Sequence, residues 1–405
     1  MTSPRIKDVA RINRNTLPES TDPNFQFRYI DIGAVDNLGR VTIPDSEMIF
    51  GSAPSRARRL APAGAVVVST VRTYLRAIAA VPDFATPLVF STGFAVLEAS
   101  TLIDSRFLAH YCRSQDFIDE VVARSVGVSY PAINAADIGN LPIALPGTEE
   151  QRRIADFLDA ETARIDGLDA SRSVQLKLLS DRERAMLDLS FQEARSGAPT
   201  RLKYLFSVRP RYGVLVPAFT DDGVPFIRVN DLLDLEGRAD GLRKIPSDLS
   251  AQYARSVVRP GDLLMSVVGT LGRAAIAPAS LAGANIARAV CSMRFMPDVD
   301  VQLVKAWLGT SFFHEQALVA TSTDTAQPTL GMEDLGNFSL NWPSDPQERK
   351  HMIREISRIQ SSMRSLREKL ERQKSVLTER RQALITAAVT GQIDVSTASG
   401  RGIEE

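Results

Sequence analysis

Residues 131–146 read PAINAADIGNLPIALP, and residues 328–343 read PTLGMEDLGNFSLNWP. Pro131, Asp137, Gly139, Asn140 and Pro146 recur as Pro328, Asp334, Gly336, Asn337 and Pro343. Five further pairs exchange one large apolar residue for another, from Ile133/Leu330 to Leu145/Trp342. Average composition yields about one identity in sixteen positions by chance, so the phrase is duplicated. The 197-residue separation of Pro131 and Pro328 carries backwards along the chain. RYIDIG at 28–33 falls on PFIRVN at 225–230, AGAVVVST at 63–70 on PGDLLMSV at 260–267, and Arg76 on Arg273. With slips of one residue, RIK at Arg5 lies on RLK at Arg201, Tyr111 on Trp307 and Phe117 on Phe313. The chain is two copies of one unit, and such a repeat constrains architecture before any local signal does.

A chain of 405 residues is too long for one core. Within each copy, short β-branched runs such as GAVVVST and GDLLMSVVG, bounded by Gly, Pro and Asp, predict strands and turns. One amphipathic helical stretch is expected at DSRFLAHYCRSQDFIDEVVA. Each copy then closes with a long segment almost free of Gly and Pro, about Glu150–Phe191 and Gln347–Thr390, which predicts two long helices. In the second, Ile356, Met363, Leu370, Leu377 and Leu384 recur every seven residues, with Ile359, Leu366, Gln373 and Arg380 as a second row. The first answers with Leu158, Ile165, Leu179 and Met186, and with Leu168, Gln175, Arg182 and Leu189. The expected fold class is α+β: two similar mixed α/β globular domains separated by two long helices that form an antiparallel coiled coil with pseudo-two-fold symmetry. The expected boundaries are a first globular domain over 1–148, a helix over 149–195, a second globular domain over 196–345, a helix over 346–390 and a tail over 391–405. About forty helical residues make a spacer of roughly 60 Å. Gln175 and Gln373 sit near the middle of their stripes, so a buried polar layer is expected there that penalises slipped registers.

The chemistry of an enzyme is missing. No GxxxxGK[ST] loop is present, GTLGR at 269–273 lacks the spacing of a dinucleotide fingerprint, and no GxSxG, HExxH or paired carboxylates occur. NWPS at 341–344 has Trp342 where the Asn-Pro-Pro-Tyr loop of amino-methyltransferases has proline. Cys112, Cys291, His110, His314 and His351 are scattered without metal-ligand or disulfide spacing. No apolar run approaches the roughly 20 residues of a membrane span, and the start MTSPRIKDVARINRN lacks a signal-peptide core, so a cytoplasmic protein without membrane partners is expected. Lys plus Arg and Asp plus Glu balance at 48 each. The second long helix nevertheless concentrates basic residues from Arg349 to Arg381.

Two diverged units each followed by a long helix, the phrase DIGNLPIALPGTEEQRRIADFLD and the ending LTERRQALITAAVTGQIDV together resemble the specificity subunit of Type I restriction-modification enzymes. The resemblance implies two target recognition domains, each reading one half of a bipartite double-stranded DNA site. It also implies helices that set the spacing and dock methyltransferase subunits, two in number, alongside restriction/translocase subunits. It implies no catalysis in this chain: S-adenosylmethionine, ATP and Mg²⁺ belong to the partners. The second linker departs, with SDPQERKHMI where the first has GTEEQRRI.

Arginines interleaved with small hydroxyl residues suit base edges and phosphates. They nominate Arg56, Arg58, Arg72, Thr73, Arg76, Ser125 and Tyr130 in the first copy, and Arg228, Asn230, Thr270, Arg273, Ser322, Thr323 and Gln327 in the second. Leu158, Ile165, Ile356 and Met363 are the expected partner-binding residues. Two alternatives stand beside this reading: a coiled-coil scaffold whose two domains bind peptide or sugar, and a methyltransferase.

Overall fold

Val66–Ser69 is buried along its whole length because the strand is covered on both faces. Val66 and Val68 enter one hydrophobic core and Val67 enters another. In the computed structural model, which describes residues 4–127, 130–321 and 329–395, this strand is central to a four-stranded antiparallel sheet. The order is Ala10–Ile12, Phe94–Ala99, Val66–Ser69, Ile78–Ala80, with Val66 opposite Leu97 and Ala80. A second sheet runs Met48–Ile49, Gln26–Ile30, Leu88–Ser91, Ala57–Leu60, with a parallel pair at its centre. The second copy repeats the first sheet strand for strand as Phe206–Tyr212, Val290–Phe295, Leu263–Ser266, Ala274–Ile276. Its other sheet keeps the order Lys244–Ile245, Val224–Ile227, Asn285–Ile286 with three strands. The duplication read from the phrase is therefore a duplication of topology.

The expected single helical stretch is two helices, Ser105–Cys112 and Gln115–Arg124. Ser114 breaks it: its hydroxyl donates to the Tyr111 carbonyl at 2.7 Å and accepts from Phe117 N at 3.3 Å, ending one helix and capping the next. Thr310 does the same between Val301–Trp307 and Ser311–Ala320, at 2.6 and 3.3 Å.

The repeated phrase fastens the end of each globular part to its beginning. Asn140 Oδ1 accepts from Lys7 Nζ at 2.8 Å while Ile6 N donates to the Leu141 carbonyl at 3.0 Å. In the second copy Asn337 Oδ1 accepts from Lys203 Nζ at 2.9 Å, and Leu202 N donates to the Phe338 carbonyl at 2.9 Å. NWPS belongs to this clasp: Asn341 Nδ2 donates to the Phe191 carbonyl at 2.8 Å and Trp342 is buried.

The long helices are Thr148–Gln192 and Pro346–Val389. The chain divides into two compact units, residues 1–172 with 371–405 and residues 173–370, so each unit holds one globular part and a segment of both helices. In the first unit Asp166 meets Arg381 at 3.3 Å and Asp169 meets Lys374 at 3.1 Å, so the segments run antiparallel. Ile154, Ala155 and Leu158 share one core there with Ile385, Ala388, Val389 and the globular helices. In the second unit Leu187, Phe191, Met352 and Ile356 join the globular core, and Glu183 meets Arg367 at 3.0 Å. Gln151 fastens the first helix, donating to the Leu102 and Pro146 carbonyls and accepting from Asp104 N. The divergent second linker keeps that function, because Arg349 donates to the Pro343 and Ser344 carbonyls and pairs with Asp300 at 3.0 Å.

The first heptad row lies inside, with Leu158, Ile165, Ile356 and Met363 buried. The second row differs from the sequence expectation. Leu168 and Leu366 are 42% and 45% exposed, and Gln175, Arg182, Leu189, Gln373 and Arg380 are exposed too. The covered second row comes one residue later: Thr162, Asp169, Leu176 and Glu183 on the first helix, and Gln360, Arg367, Lys374 and Arg381 on the second. The expected phase would bury Arg182 and Arg380, whereas the observed phase sets acids of one helix against bases of the other. The glutamines accordingly form no buried layer. Among the described residues no helix is long and apolar enough to cross a membrane.

The globular part of the first unit is also tied to the first helix by charge. Arg106 reaches Asp156 at 2.7 Å and Asp159 at 3.1 Å, and His110 Nε2 lies 2.7 Å from Asp159. Burial holds the His110 pKa below its ordinary value, and its buried Nδ1 has no partner, so a neutral ring donates from Nε2. That hydrogen bond, more than any other contact, holds Asp159 below the usual carboxylate range.

Two predictions follow from these contacts. Ile165→Ala is expected to destabilise the first unit by about 2–5 kcal/mol, whereas Leu168→Ala stays within about 0.5 kcal/mol. Thermal melts by circular dichroism decide the phase, and equal losses would return Leu168 to the seam. Because the unfolded chain takes up a proton on His110 that the folded unit resists, stability is complete above about pH 6.5 and falls as pH drops below it. The depressed carboxyl of Asp159 adds its own loss only nearer the ordinary carboxylate range. His110→Asn should flatten the fall in melting temperature between about pH 7 and 5.

Candidate nucleic-acid interface

In each unit the loop leaving the central strand turns back on a serine. Ser69 Oγ donates to the Val71 carbonyl at 2.6 Å, and Ser266 Oγ donates to the Thr270 carbonyl while accepting from Arg273 N at 3.0 Å. In the first unit the loop then enters left-handed backbone twice, at Arg72 and Arg76, both with φ of 52°, around a 3₁₀ turn over Thr73–Leu75. Side chains other than glycine are disfavoured there by about 1 kcal/mol or more each. In the second unit the position aligned with Arg72 is Gly269, with φ of 72°. The fold demands the conformation; only the first unit meets it with arginine.

The geometry joins several nominated residues of the first unit. Thr73 is buried, its hydroxyl 3.0 Å from that of Ser125, which donates to the Val121 carbonyl, so both are internal supports and not free contacts. The Arg72 guanidinium lies 5.2 Å over the Tyr130 ring, which is 65% exposed, and Arg76 donates to Gln115 at 3.3 Å. Arg56 adjoins the same edge through backbone: its carbonyl accepts from Thr92 N, and Gly93 O accepts from both Thr70 N and Thr70 Oγ1. Arg58 is committed elsewhere, donating to Ser55 and Pro18 and lying 4.8 Å over Phe50. Exposed Arg56, Arg72 and Arg76 thus line one edge with two exposed tyrosines, Tyr130 and Tyr74. Tyr74 was missed because STVRTYLR signals a strand end and not which side chain faces out.

In the second unit Thr270 is exposed, and Arg273 Nη1 reaches Asn230 Oδ1 at 3.5 Å. Arg228 is held by both oxygens of buried Asp231, at 3.1 and 3.3 Å. Arg288, exposed and not nominated, sits at the turn whose next carbonyl, that of Ala289, accepts from Val267 N. Ser322, Thr323 and Gln327 lie outside the described residues. Leu158, Ile165, Ile356 and Met363, expected to bind a partner, are buried within their units.

Among the described residues no group of three or more His, Cys, Asp or Glu is placed to hold a metal ion. Both cysteines are buried, and burial pushes their thiols up, away from the reactive thiolate. The first edge combines arginines with exposed tyrosines and the second combines arginines with an amide and a hydroxyl, both suited to a polyanion that carries hydrogen-bonding base edges.

The family described as Type I restriction modification DNA specificity domain matches residues 1–177. The chain is 26% identical over 306 residues to the Type I restriction enzyme EcoBI specificity subunit of Escherichia coli, an alignment covering 68% of this chain and 64% of that protein. The matched part is thus less than two thirds of that relative's length. Among solved structures, a chain from work on complex assembly and conformational transition of the type I R-M system superposes with a TM-score of 0.65 at 24% identity, covering 97% of this chain and 100% of that one. The HsdS subunit from Thermoanaerobacter tengcongensis is 25% identical, with 96% of each chain covered and a TM-score of 0.45.

Arg72→Gly and Arg76→Gly are each expected to raise the melting temperature by about 2–4 °C, the effect of roughly 1 kcal/mol in a unit of this size. Arg72→Ala keeps the strain and should bring no rise. Calorimetry on the three variants separates the outcomes, and a fall for both glycine variants would show that the arginines are structural supports.

Proposed function

We propose that this chain, whose residues 1–177 match the family described as Type I restriction modification DNA specificity domain, is the DNA-reading subunit of a Type I restriction-modification complex. Each unit reads one half of a bipartite double-stranded site with its own exposed edge. The observation that carries this reading is the pairing of a repeated scaffold with unlike edges: the same strands and serine-folded loops present Arg72, Arg76 and Tyr130 in one unit and Thr270, Arg273 and Arg288 in the other. Unlike edges on like scaffolds read unlike half-sites. The chain itself contributes recognition, while S-adenosylmethionine, ATP and Mg²⁺ act on methyltransferase and restriction subunits.

Docking of the methyltransferase is assigned to exposed apolar positions on the helices, Leu168, Leu189 and Leu366. These are the leucines displaced from the seam by its charged second row. A heptad position with an apolar side chain in solvent suits a partner helix laid along it.

Two measurements test the proposal. Binding to a short duplex should weaken linearly as log affinity against log salt, and Arg56→Ala or Arg273→Ala should each make the slope shallower by about one. Binding that ignores salt would sink the DNA-reading assignment. Leu168→Asp should abolish co-purification of the methyltransferase while leaving the melting temperature within about 2 °C, because an exposed site carries little folding energy; retained assembly at unchanged stoichiometry would move the dock elsewhere.

A further inference from the structure

After its first strand the second unit does something the first does not. In the first unit the register of the repeat places the polar residues Glu19, Ser20, Thr21 and Asp22 where the second has Leu215 to Ala218. The second continues from Tyr212 with Gly213 and Val214, then Leu215, Val216, Pro217, Ala218 and Phe219, of which the last five are exposed. Leu215 is 53% and Val216 is 74% exposed, next to each other at the tip.

This tip is held, not loose. At Gly213 the backbone passes so close to the Ile286 carbonyl that a Cβ would lie 1.7 Å from its oxygen, so only glycine permits the path. Val214 is buried; its N–H donates to the Ile286 carbonyl at 2.8 Å and its carbonyl accepts from Arg288 N at 2.9 Å. On the return limb, Thr220 N donates to the Lys244 carbonyl at 3.1 Å, and the Phe219 ring packs edge-on to Phe226 beneath the Arg243 guanidinium at 4.8 Å. Pro217 stiffens the turn between these anchors. A rigid apolar tip in solvent gives up burial that the same residues would gain against a partner.

Charge identifies the partner. The limbs carry Arg209, Arg211, Arg243, Lys244 and Arg288 against Asp221 and Asp222. Arg288 adjoins the tip through Val214, and its neighbour Ala289 adjoins the candidate interface loop through Val267. A hydrophobic point framed by cations matches nucleobases framed by phosphates, where apolar side chains touch thymine methyls or wedge between base steps. We propose that Leu215 and Val216 form an apolar reading tip that contacts bases in the half-site of the second unit. This rests on the DNA-reading assignment and adds to it an apolar element where the equivalent segment of the first unit is polar.

The test uses the full chain and a short fluorescein-labelled duplex carrying the sequence that the unaltered chain selects from a random pool. Leu215→Ser with Val216→Ser should weaken binding about 10- to 100-fold at unchanged melting temperature and, because no phosphate contact is lost, with an unchanged salt slope. Arg288→Ala should instead make the slope shallower. Unchanged affinity in the double variant overturns the tip, as does a loss of methyltransferase assembly with DNA binding intact, which would make the tip a protein-docking surface. If the unaltered chain shows no salt-dependent duplex binding, the DNA-reading assignment itself has failed and the tip falls with it.

Discussion

The structure depends on cores that the long helices share with the globular parts. Leu158 and Ile385 lie in the same apolar cluster as Phe107, Ile118 and Leu141, and Phe191 and Ile356 lie with Trp307, Phe313 and Leu335. A helix that contributes to a core cannot move as an independent rod, because close-packed interiors pass displacement on to their neighbours. Each edge is therefore fixed with respect to the helix segments of its own unit. Gln151 and Arg349 make the same attachment with different chemistry, one by an amide that both donates and accepts, the other by a guanidinium with an aspartate and two carbonyls. An altered linker sequence is thus compatible with an unaltered attachment.

Much of this was legible in the amino-acid sequence. The duplicated phrase led to the repeat, and the repeat to two sheets of the same strand order. Even the pairing of Asn140 with Lys7 and Asn337 with Lys203 joins two stretches that the alignment had already matched, RIK with RLK and DIGN with DLGN. Periodicity also found the first row of the helix seam. The phase of the second row was not readable, because apolar residues stand three places on and charged residues four, and hydrophobicity alone favours the former. What decides is complementarity between Asp169 and Lys374 or Glu183 and Arg367, a property of two helices together that no single stripe displays.

The edges were less legible for a different reason. A run such as SRARR or STVRTYLR shows that arginine is present but not what it is already bonded to. Arg58 is occupied by Ser55, Pro18 and Phe50, Arg228 by Asp231, and Thr73 and Ser125 by each other, whereas Arg72 and Arg76 are exposed on strained backbone with one contact each, to Tyr130 and to Gln115. The difference lies in contacts from residues distant in sequence. A surface arginine with a fixed partner has little freedom left for a ligand, so occupancy, more than residue type, separates the candidates.

The aligned pair Arg72 and Gly269 shows one backbone demand met by two different residues. Both residues occupy left-handed backbone at the same point of the same loop, so the scaffold imposes the conformation whatever side chain stands there. Glycine accepts it without strain and offers nothing to a ligand. Arginine accepts it at a cost in stability and projects a guanidinium that rests on Tyr130. A chain selected for stability alone would keep glycine in both copies. On the proposed DNA-reading role, the strain at Arg72 is offset in the bound state, where the guanidinium meets its ligand. The second unit, relieved of that strain, carries its exposed distinguishing groups elsewhere, in Arg288 and the apolar residues anchored by Gly213, so two copies of one scaffold reach unlike surfaces by placing their glycines differently.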